Sequence, residues 1–473
     1  MITQQPLPPA LPPLAGDPAA EAEALFKEAR RRTRRRRAAR LAMVALTVVG
    51  AIVTYDLSLG GQPRSSASAT PTPAVDRTDF AGHGDLAFIS RGRLWVLDGA
   101  TGTLTPVTSP AQQPSDPEFS PNGRWLSYGV AASVAAGSSR TWLARADGTS
   151  PRRIGSGFDT SSWLPDGRLL VGGRLWRVAP SGALTPAGST PGELVARVPG
   201  EQRYVFFSST LRVNPPKPST GVARIEVSDS LSGKRTTWYQ TRVSYSPQSG
   251  RQGPSLFFAT ALPKSEGILI GSSPFCCDVS DGIDLYLIKA AGTPPQNLGL
   301  TVGDTVSLGA NGTFAFTRGG NRYAWVTKAV VTCSAATGRC TRVSTAAGTL
   351  SLDPAFSPNG RALAFVEAAS MKAGTIGLPT VQRWYRTHSL WILHRGASEP
   401  TKITNTVGAA APVWSADGRS VLYVADDALW LLPSSSGKPI RIASPLFTAN
   451  VWPSFYGEIG WSGQFAWSAT ARS

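Results

Sequence analysis

The feature that most restricts how this chain can fold is a short element that returns four times. It reads DPEFSPNGRWLSYG at 116–129, SSWLPDGRLLVGG at 161–173, DPAFSPNGRALAFV at 353–366 and PVWSADGRSVLYV at 412–424. Each copy has an aromatic, two intervening residues, Asn-Gly or Asp-Gly, an arginine, and then an apolar alternation. Asn-Gly and Asp-Gly tolerate the positive φ angles that a tight hairpin turn needs. The alternation after the arginine (Trp125 and Ser127, Leu363 and Phe365, Val421 and Tyr423) has the period of a strand. Further strands follow across polar glycine turns, as in RLWVLDGATGTLTPVT at 93–108, RLWRVAPSGALTPAG at 174–188 and ALWLLPSSSGKPIRIA at 428–443. Repeats of about 40–60 residues made of short antiparallel strands predict the blades of a β-propeller. Strand triplets begin near 86, 119, 163, 203, 257, 306, 356 and 414, which gives eight blades by count. In 190–345 the turns are degraded, although ANGTFAFT at 310–317 keeps its Asn-Gly. A merged pair or an irregular insertion there would reduce the number to seven or six.

Over roughly residues 82–470 these motifs resemble the TolB-like propeller repeat. The resemblance implies an all-β propeller of four-stranded antiparallel blades, six in the usual member, and a protein-binding or scaffolding role at the cell envelope. The segment GEIGWSGQFAWS at 457–468 looks like the opening of another blade, whereas the first unit lacks its opening strand. The last strand is therefore expected to complete the first blade and close the ring. Frequent glycine (48) and proline (38), with only 16% charged residues, suit such a turn-rich fold, and its seams would bury many of the 14 tryptophans.

The N-terminal part reads differently. Residues 1–16 are proline-rich and are expected to form a disordered cytoplasmic tail. Asp17-Pro18 is a helix start, and 17–40 reads as a basic juxtamembrane helix. The uncharged stretch Leu41–Tyr55 is the centre of an expected transmembrane helix at 41–59, a little short of the roughly 20 residues a span prefers. Eight arginines between Arg30 and Arg40 lie on one flank and Asp56 on the other, which places the N-terminus in the cytoplasm and the rest outside. The 40-residue lead before the apolar stretch, and the distance to the small-residue pair Ala67 and Ala69, favour an uncleaved anchor over a signal peptide. Residues 60–79 read as a flexible stalk and 80–473 as the propeller ectodomain on a bacterial cell membrane.

The net charge of +17 is spread along the chain: 38 basic and 25 acidic side chains lie beyond residue 60. The membrane is one expected partner, through the anchor and through anionic lipid at the arginine run. Downstream arginines are scattered without a stripe of interleaved aromatics, so no nucleic-acid partner is expected.

Four cysteines fall in the expected oxidising compartment. Cys333 and Cys340 flank SAATGR between two strand-like runs and are expected to form a disulfide across a hairpin. Cys276 and Cys277 leave open a vicinal bridge, outside pairing or two reduced thiols. His83, His388 and His394 have no metal spacing, Asp278, Asp281 and Asp284 read as a turn, and neither metal nor cofactor is expected. No G-x-S-x-G, Walker loop, dinucleotide fingerprint or H-E-x-x-H occurs in the sequence. The expected function is thus a membrane-tethered, non-catalytic binding or scaffold module for an envelope protein, peptide or glycan. The alternative is an extracytoplasmic polysaccharide lyase or glycosidase, for which Trp384, Tyr385 and Arg386 form a candidate ligand loop, although ordinary loop packing serves them equally.

Overall fold

The computed structural model describes residues 71–468 except 110–111, 134–137, 155–160, 190–192, 198–202, 213–216, 247–250, 263–266, 274–281, 302–304, 311, 320–327, 372–382, 435–436, 447–460 and 462. The expected tail, juxtamembrane helix, transmembrane helix at 41–59 and most of the stalk lie outside the described residues, as do Cys276, Cys277, Asp278 and Asp281. Among the described residues no helix is long and apolar enough to cross a membrane.

The local rule of the fold is visible in the repeated turn. In the second blade, Gly123 N–H donates to the Ser120 carbonyl at 2.8 Å, and Gly123 alone of the turn residues has positive φ, +65°. Asn122 keeps ordinary backbone geometry. Its value lies in its side chain, whose Oδ1 accepts from Ser120 Oγ at 2.8 Å and from Arg124 N at 3.1 Å. Ser120 Oγ in turn accepts from Trp125 N at 2.9 Å. Ser357, Asn359 and Ala362 repeat this network, and so do Ser415, Asp417 and Ser420. The turn is therefore a type I turn followed by a left-handed glycine, not a pair of positive-φ residues. Serine and Asn or Asp belong to the motif because their side chains satisfy the turn's own N–H groups.

These hairpins build eight strand groups among the described residues. Blade I joins Phe465–Ser468 to Asp85–Ser90, Arg93–Asp98 and Leu104–Pro106. Blade II is Pro114–Phe119, Trp125–Ser133, Ser138–Arg145 and Arg152–Arg153, and blade III is Ser161–Trp163, Arg168–Val171, Arg174–Val178 and Leu184–Ser189. Blade IV runs Glu193–Arg197, Tyr204–Ser209, Ser219–Ser228 and Thr236–Ser246, with Arg251–Gly253 as a fifth strand. Blade V (Ser255–Ala261, Ile268–Ser273, Ile283–Ile288, Gln296–Thr301) and blade VI (Ser307–Leu308, Thr313–Arg318, Ala329–Ser334, Cys340–Arg342) merge into one sheet through the pairing of Thr301 with Arg318. Blade VII is Thr349–Phe356, Ala362–Ala369, Ser389–His394 and Thr401–Lys402, and blade VIII is Ala410–Trp414, Val421–Ala425, Ala428–Leu432 and Ile440–Ser444.

The ring is closed from both chain ends. Phe465 pairs with Phe88 and Ser468 with Asp85, so the C-terminal strand is the inner strand of blade I. Ala74 and Val75 pair with Ser444 and Ala443 and add a fifth strand to blade VIII. Residues 74–75 therefore belong to the sheet, although the sequence read 60–79 as stalk. A two-residue edge strand has no alternation to betray it.

Between blades, apolar clusters fill the seams. Leu86, Phe88 and Leu97 pack with Leu422, Leu429 and Trp461 between blades I and VIII, and Ala362 and Ile392 pack with Trp414 and Tyr423 between VII and VIII. A repeated bond fixes some of these seams. Trp414 Nε1 donates to the Ala355 carbonyl at 2.8 Å, and Trp163 Nε1 donates to the Glu118 carbonyl at 3.2 Å. Ala355 and Glu118 occupy the same repeat position, directly before the aromatic. The motif thus ties each of these tryptophans to the preceding blade.

Candidate functional site

The arginine that closes each repeated turn stands on one face of the ring, beside the turns between third and fourth strands. How its charge is met differs between blades. In blade III the Asp166 carboxylate holds Arg168 at 2.7 Å, and the guanidinium pKa is raised chiefly by that hydrogen bond. In blade VIII the Asp417 carboxyl lies below its usual range because the Ser415 hydroxyl and Arg419 N–H both donate to it. Blade VII has Asn359 at this position. Its amide oxygen satisfies the turn without bringing a carboxylate to Arg361 from its own turn.

Arg361 lines a groove of about 490 Å³ between blades VI and VII, a size suited to a small ligand. Phe356, Leu363 and Leu393 contribute the apolar lining, at the end of the seam cluster of Ala315, Val330 and Phe365. Arg339, Arg361, His394 and Arg395 are exposed around it, and no carboxylate is among the lining residues. Arg395 N–H donates to the Arg361 carbonyl at 2.7 Å, which fixes the two arginine backbones side by side. Among the described residues none of these arginines has an ion-pair partner.

The opposite wall is the hairpin of blade VI, whose Thr332, Ser334, Thr337 and Thr341 present hydroxyls. Cys333 and Cys340 pair across it and are joined by a disulfide. Arg339 precedes Cys340 directly, so the bridge limits how far this wall and its charge can move. From the blade V side, Lys289 Nζ donates to the Ala336 carbonyl at 3.1 Å and Gln296 Nε2 to the Gly338 carbonyl at 2.9 Å.

A second groove of about 480 Å³ opens between blades VII and VIII and shares Arg361, Ala362 and His394 with the first. Gly360 (φ +65°), at the first groove, is what lets blades VI and VII approach. A Cβ there would lie 2.7 Å from the Ala310 Cβ of blade VI.

The proposed ligand loop is not part of these grooves. Trp384 is fully buried among Leu350, Leu352, Val366 and Ala368, and its Nε1 donates to the Ala369 carbonyl at 2.9 Å. The His388 ring meets it edge-on at 4.5 Å, and burial pushes His388 down to about 4. Tyr385 packs against both this cluster and the seam of blades VIII and I, while Arg386 is exposed. Trp384 therefore cannot serve as an open sugar platform: the inner strands of blade VII leave an apolar pocket, and its indole fills it. Among the described residues no three His, Cys, Asp or Glu side chains gather closely enough to hold a metal.

No protein-family model matches the chain, and no curated protein matches it in sequence. Solved structures do. An oligogalacturonate lyase in complex with manganese is 15% identical over 80% of this chain and 89% of its own, with a TM-score of 0.39. TolB from Acinetobacter baumannii is 13% identical over 76% of this chain and 64% of its own, with a TM-score of 0.33. The β-propeller domain of the Trilobed protease from Pyrococcus furiosus is 13% identical over 66% of this chain and 90% of its own, at 0.34. The fold is a β-propeller, as its sheet order and closing strands establish, and TolB stands among its structural neighbours.

Proposed function

We propose that this chain is a membrane-tethered, extracytoplasmic, non-catalytic binding module that presents the turn face of its propeller to a component of the cell envelope. The observation that supports the reading best is the groove between blades VI and VII. Its lining offers cations and hydroxyls, groups that recognise a ligand by charge and hydrogen bonding. The arginine run before Leu41 supports a cytoplasmic N-terminus, and a disulfide in the groove wall suits an oxidising exterior.

One observation favours the polysaccharide-cleaving alternative. Burial pushes the Glu118 carboxyl up to about 7, the range of a general acid or base. That carboxyl sits in the seam of blades II and III, where Trp163 N approaches its Oε1 at 3.4 Å, and its backbone carbonyl takes the Trp163 indole. Both features serve blade packing.

The test has two arms. Protease added outside intact cells should degrade the propeller while residues 1–40 stay protected, and alkylation mapping should find Cys333 and Cys340 oxidised. The purified full-length chain should then bind one separated envelope fraction saturably, and Arg361→Gln with Arg395→Gln should weaken that binding. A protected propeller, or binding indifferent to both arginines, would defeat the proposal.

A further inference from the structure

Resting on the binding-module reading, we infer that the ligand of the turn face is an acidic polysaccharide lying across blades VI to VIII, with its carboxylate or phosphate groups against the arginines. The two grooves share Arg361, Ala362 and His394 as a common wall, so a linear chain leaving one enters the other. Arg339 and Arg395 stand at the first groove, Arg361 between the two and Arg419 at the second. Cations therefore recur along the path as anionic groups recur along a charged polymer.

The only carboxylate in either lining is Asp417, and it already accepts from Ser415 and Arg419. The blade VII turn adds none, because its Asn359 does the hydrogen-bonding work that Asp166 does in blade III without bringing a charge. Guanidinium forks match carboxylate and phosphate geometry equally, so either anion suits the site.

What favours a glycan over an acidic polypeptide is the rest of the lining. Threonine and serine hydroxyls occupy one wall, where the disulfide holds them, and Phe356 with Leu363 and Leu393 supplies apolar surface below. A sugar ring has both complements in one unit: hydroxyls at its edge and a C–H face to rest on an aromatic. The arginines are exposed, so they act on encounter rate and salt dependence, while the hydroxyls and apolar surface select the ligand.

The test measures fluorescence anisotropy of four labelled probes against the full-length chain in detergent. Alginate oligomers carry carboxylates and phosphomannan oligomers carry phosphates, which separates the two anion sources. Poly-L-glutamate of matched charge and uncharged dextran are the comparisons. At least one anionic glycan is expected to bind about tenfold more tightly than poly-L-glutamate and to weaken as salt rises. The pair Arg361→Gln and Arg395→Gln should lower that affinity about tenfold, while Arg168→Gln, at the same repeat position in blade III, should leave it unchanged. Melting curves establish that each variant is folded.

Equal binding of poly-L-glutamate, with the arginine dependence retained, would overturn the glycan inference and leave the binding-module reading standing. Binding of dextran as tight as that of the anionic glycans would overturn the charge argument. Failure of all four probes, with an envelope fraction still bound, would overturn the inference alone; failure of that fraction too would overturn both.

Discussion

Blades VII and VIII and blade IV are made of the same antiparallel strands but are held by different means. In VII and VIII the repeated turn is complete, and the seam between them carries a tryptophan latch over a continuous apolar cluster. Blade IV has no such turn. Its two longest strands, Ser219–Ser228 and Thr236–Ser246, pair along nearly their whole length, and Val243 alone on the second is buried. Beside its apolar clusters it has polar contacts: Arg235 lies 3.6 Å over the Phe206 ring and 3.7 Å from Glu226, and Ser208 Oγ donates to Glu226 at 3.1 Å. At the junction of blades III and IV, Arg168 reaches the Tyr204 hydroxyl. Where the motif is present, a tryptophan latch is added to the apolar seam; where it is lost, the blade relies on its own ladder and on the apolar cluster it shares with blade V. Damage should therefore spread further from the repeat-rich arc than from the middle of the chain.

The largest effect should come from the closing strand. Deleting residues 464–473 removes Phe465 and Trp467, and with Trp467 an indole bond to the His83 carbonyl at 2.6 Å. Two aromatics at about 2–3 kcal/mol each predict a loss of about 5 kcal/mol. The inner edge of blade I would also be unpaired. Deleting residues 1–70 should leave the melting temperature of the remaining chain unchanged. Equal losses from the two deletions, read by calorimetry, would break the argument that the ring is closed from its C-terminus.

A pair of single substitutions sharpens the contrast. Trp414→Ala empties a buried site and removes the latch, at a cost of about 3–5 kcal/mol. Trp238→Ala in blade IV removes a half-buried ring from the cluster around Ile225 and Ile270, and should cost about 1–2 kcal/mol. Urea midpoints measured at fixed pH decide between them, and a reversed order would mean that blade IV supports its neighbours more than its contacts suggest.

The same repeat position also yields a contrast in pH dependence. Glu118 and Ala355 both lend a carbonyl to the next blade's tryptophan, but only the first brings a carboxyl, raised from 4.5 to about 7 by burial. The folded state favours the protonated form, so its stabilising effect is complete below pH 4.5 and is lost as pH rises through 7. The shift corresponds to about 3 kcal/mol across that window. Glu118→Gln keeps an acceptor for Trp163 N and removes the titration. The stability difference between wild type and variant should therefore change from pH 4.5 to 7 and then level off. A flat difference would mean that the carboxyl is solvated.

Some of this was readable in the residues and some was not. The turn and its strand period were legible because each depends on neighbours within about ten residues, and the completing C-terminal strand because the first unit lacks the opening strand that 457–468 repeats. The role of Asn or Asp in the turn was misread as backbone freedom, when it is the side chain that bonds Ser120 and Arg124. The groove was not legible: strand pairing within blade VII brings Arg361 and Arg395 together, but only blade packing sets Arg339 opposite them. A signal did exist, since the blade VII turn has Asn where blade VIII has Asp, and neither TGR at 337–339 nor HRG at 394–396 has an acid beside it. Trp384 could not be placed from sequence, because an aromatic in a long insertion looks the same whether it faces solvent or fills a pocket.

The smallest contrast concerns two glycines at one repeat position. Gly167 in blade III and Gly360 in blade VII both have positive φ, +80° and +65°, so alanine is strained at either site. The conformational part costs about 1–2 kcal/mol. They differ in what surrounds them. A Cβ on Gly167 meets nothing within 4 Å, whereas on Gly360 it would lie 2.7 Å from the Ala310 Cβ. The turns of blades VI and VII would have to part by several tenths of an ångström, adding about 1 kcal/mol of overpacking. Gly360→Ala should therefore lose about 1 kcal/mol more than Gly167→Ala in denaturant midpoint. It should also alter ligand binding at the groove, because Arg361 follows directly and its carbonyl holds Arg395. Equal costs would show that the turns have slack to move apart, and that the close approach of blades VI and VII is not what shapes the groove.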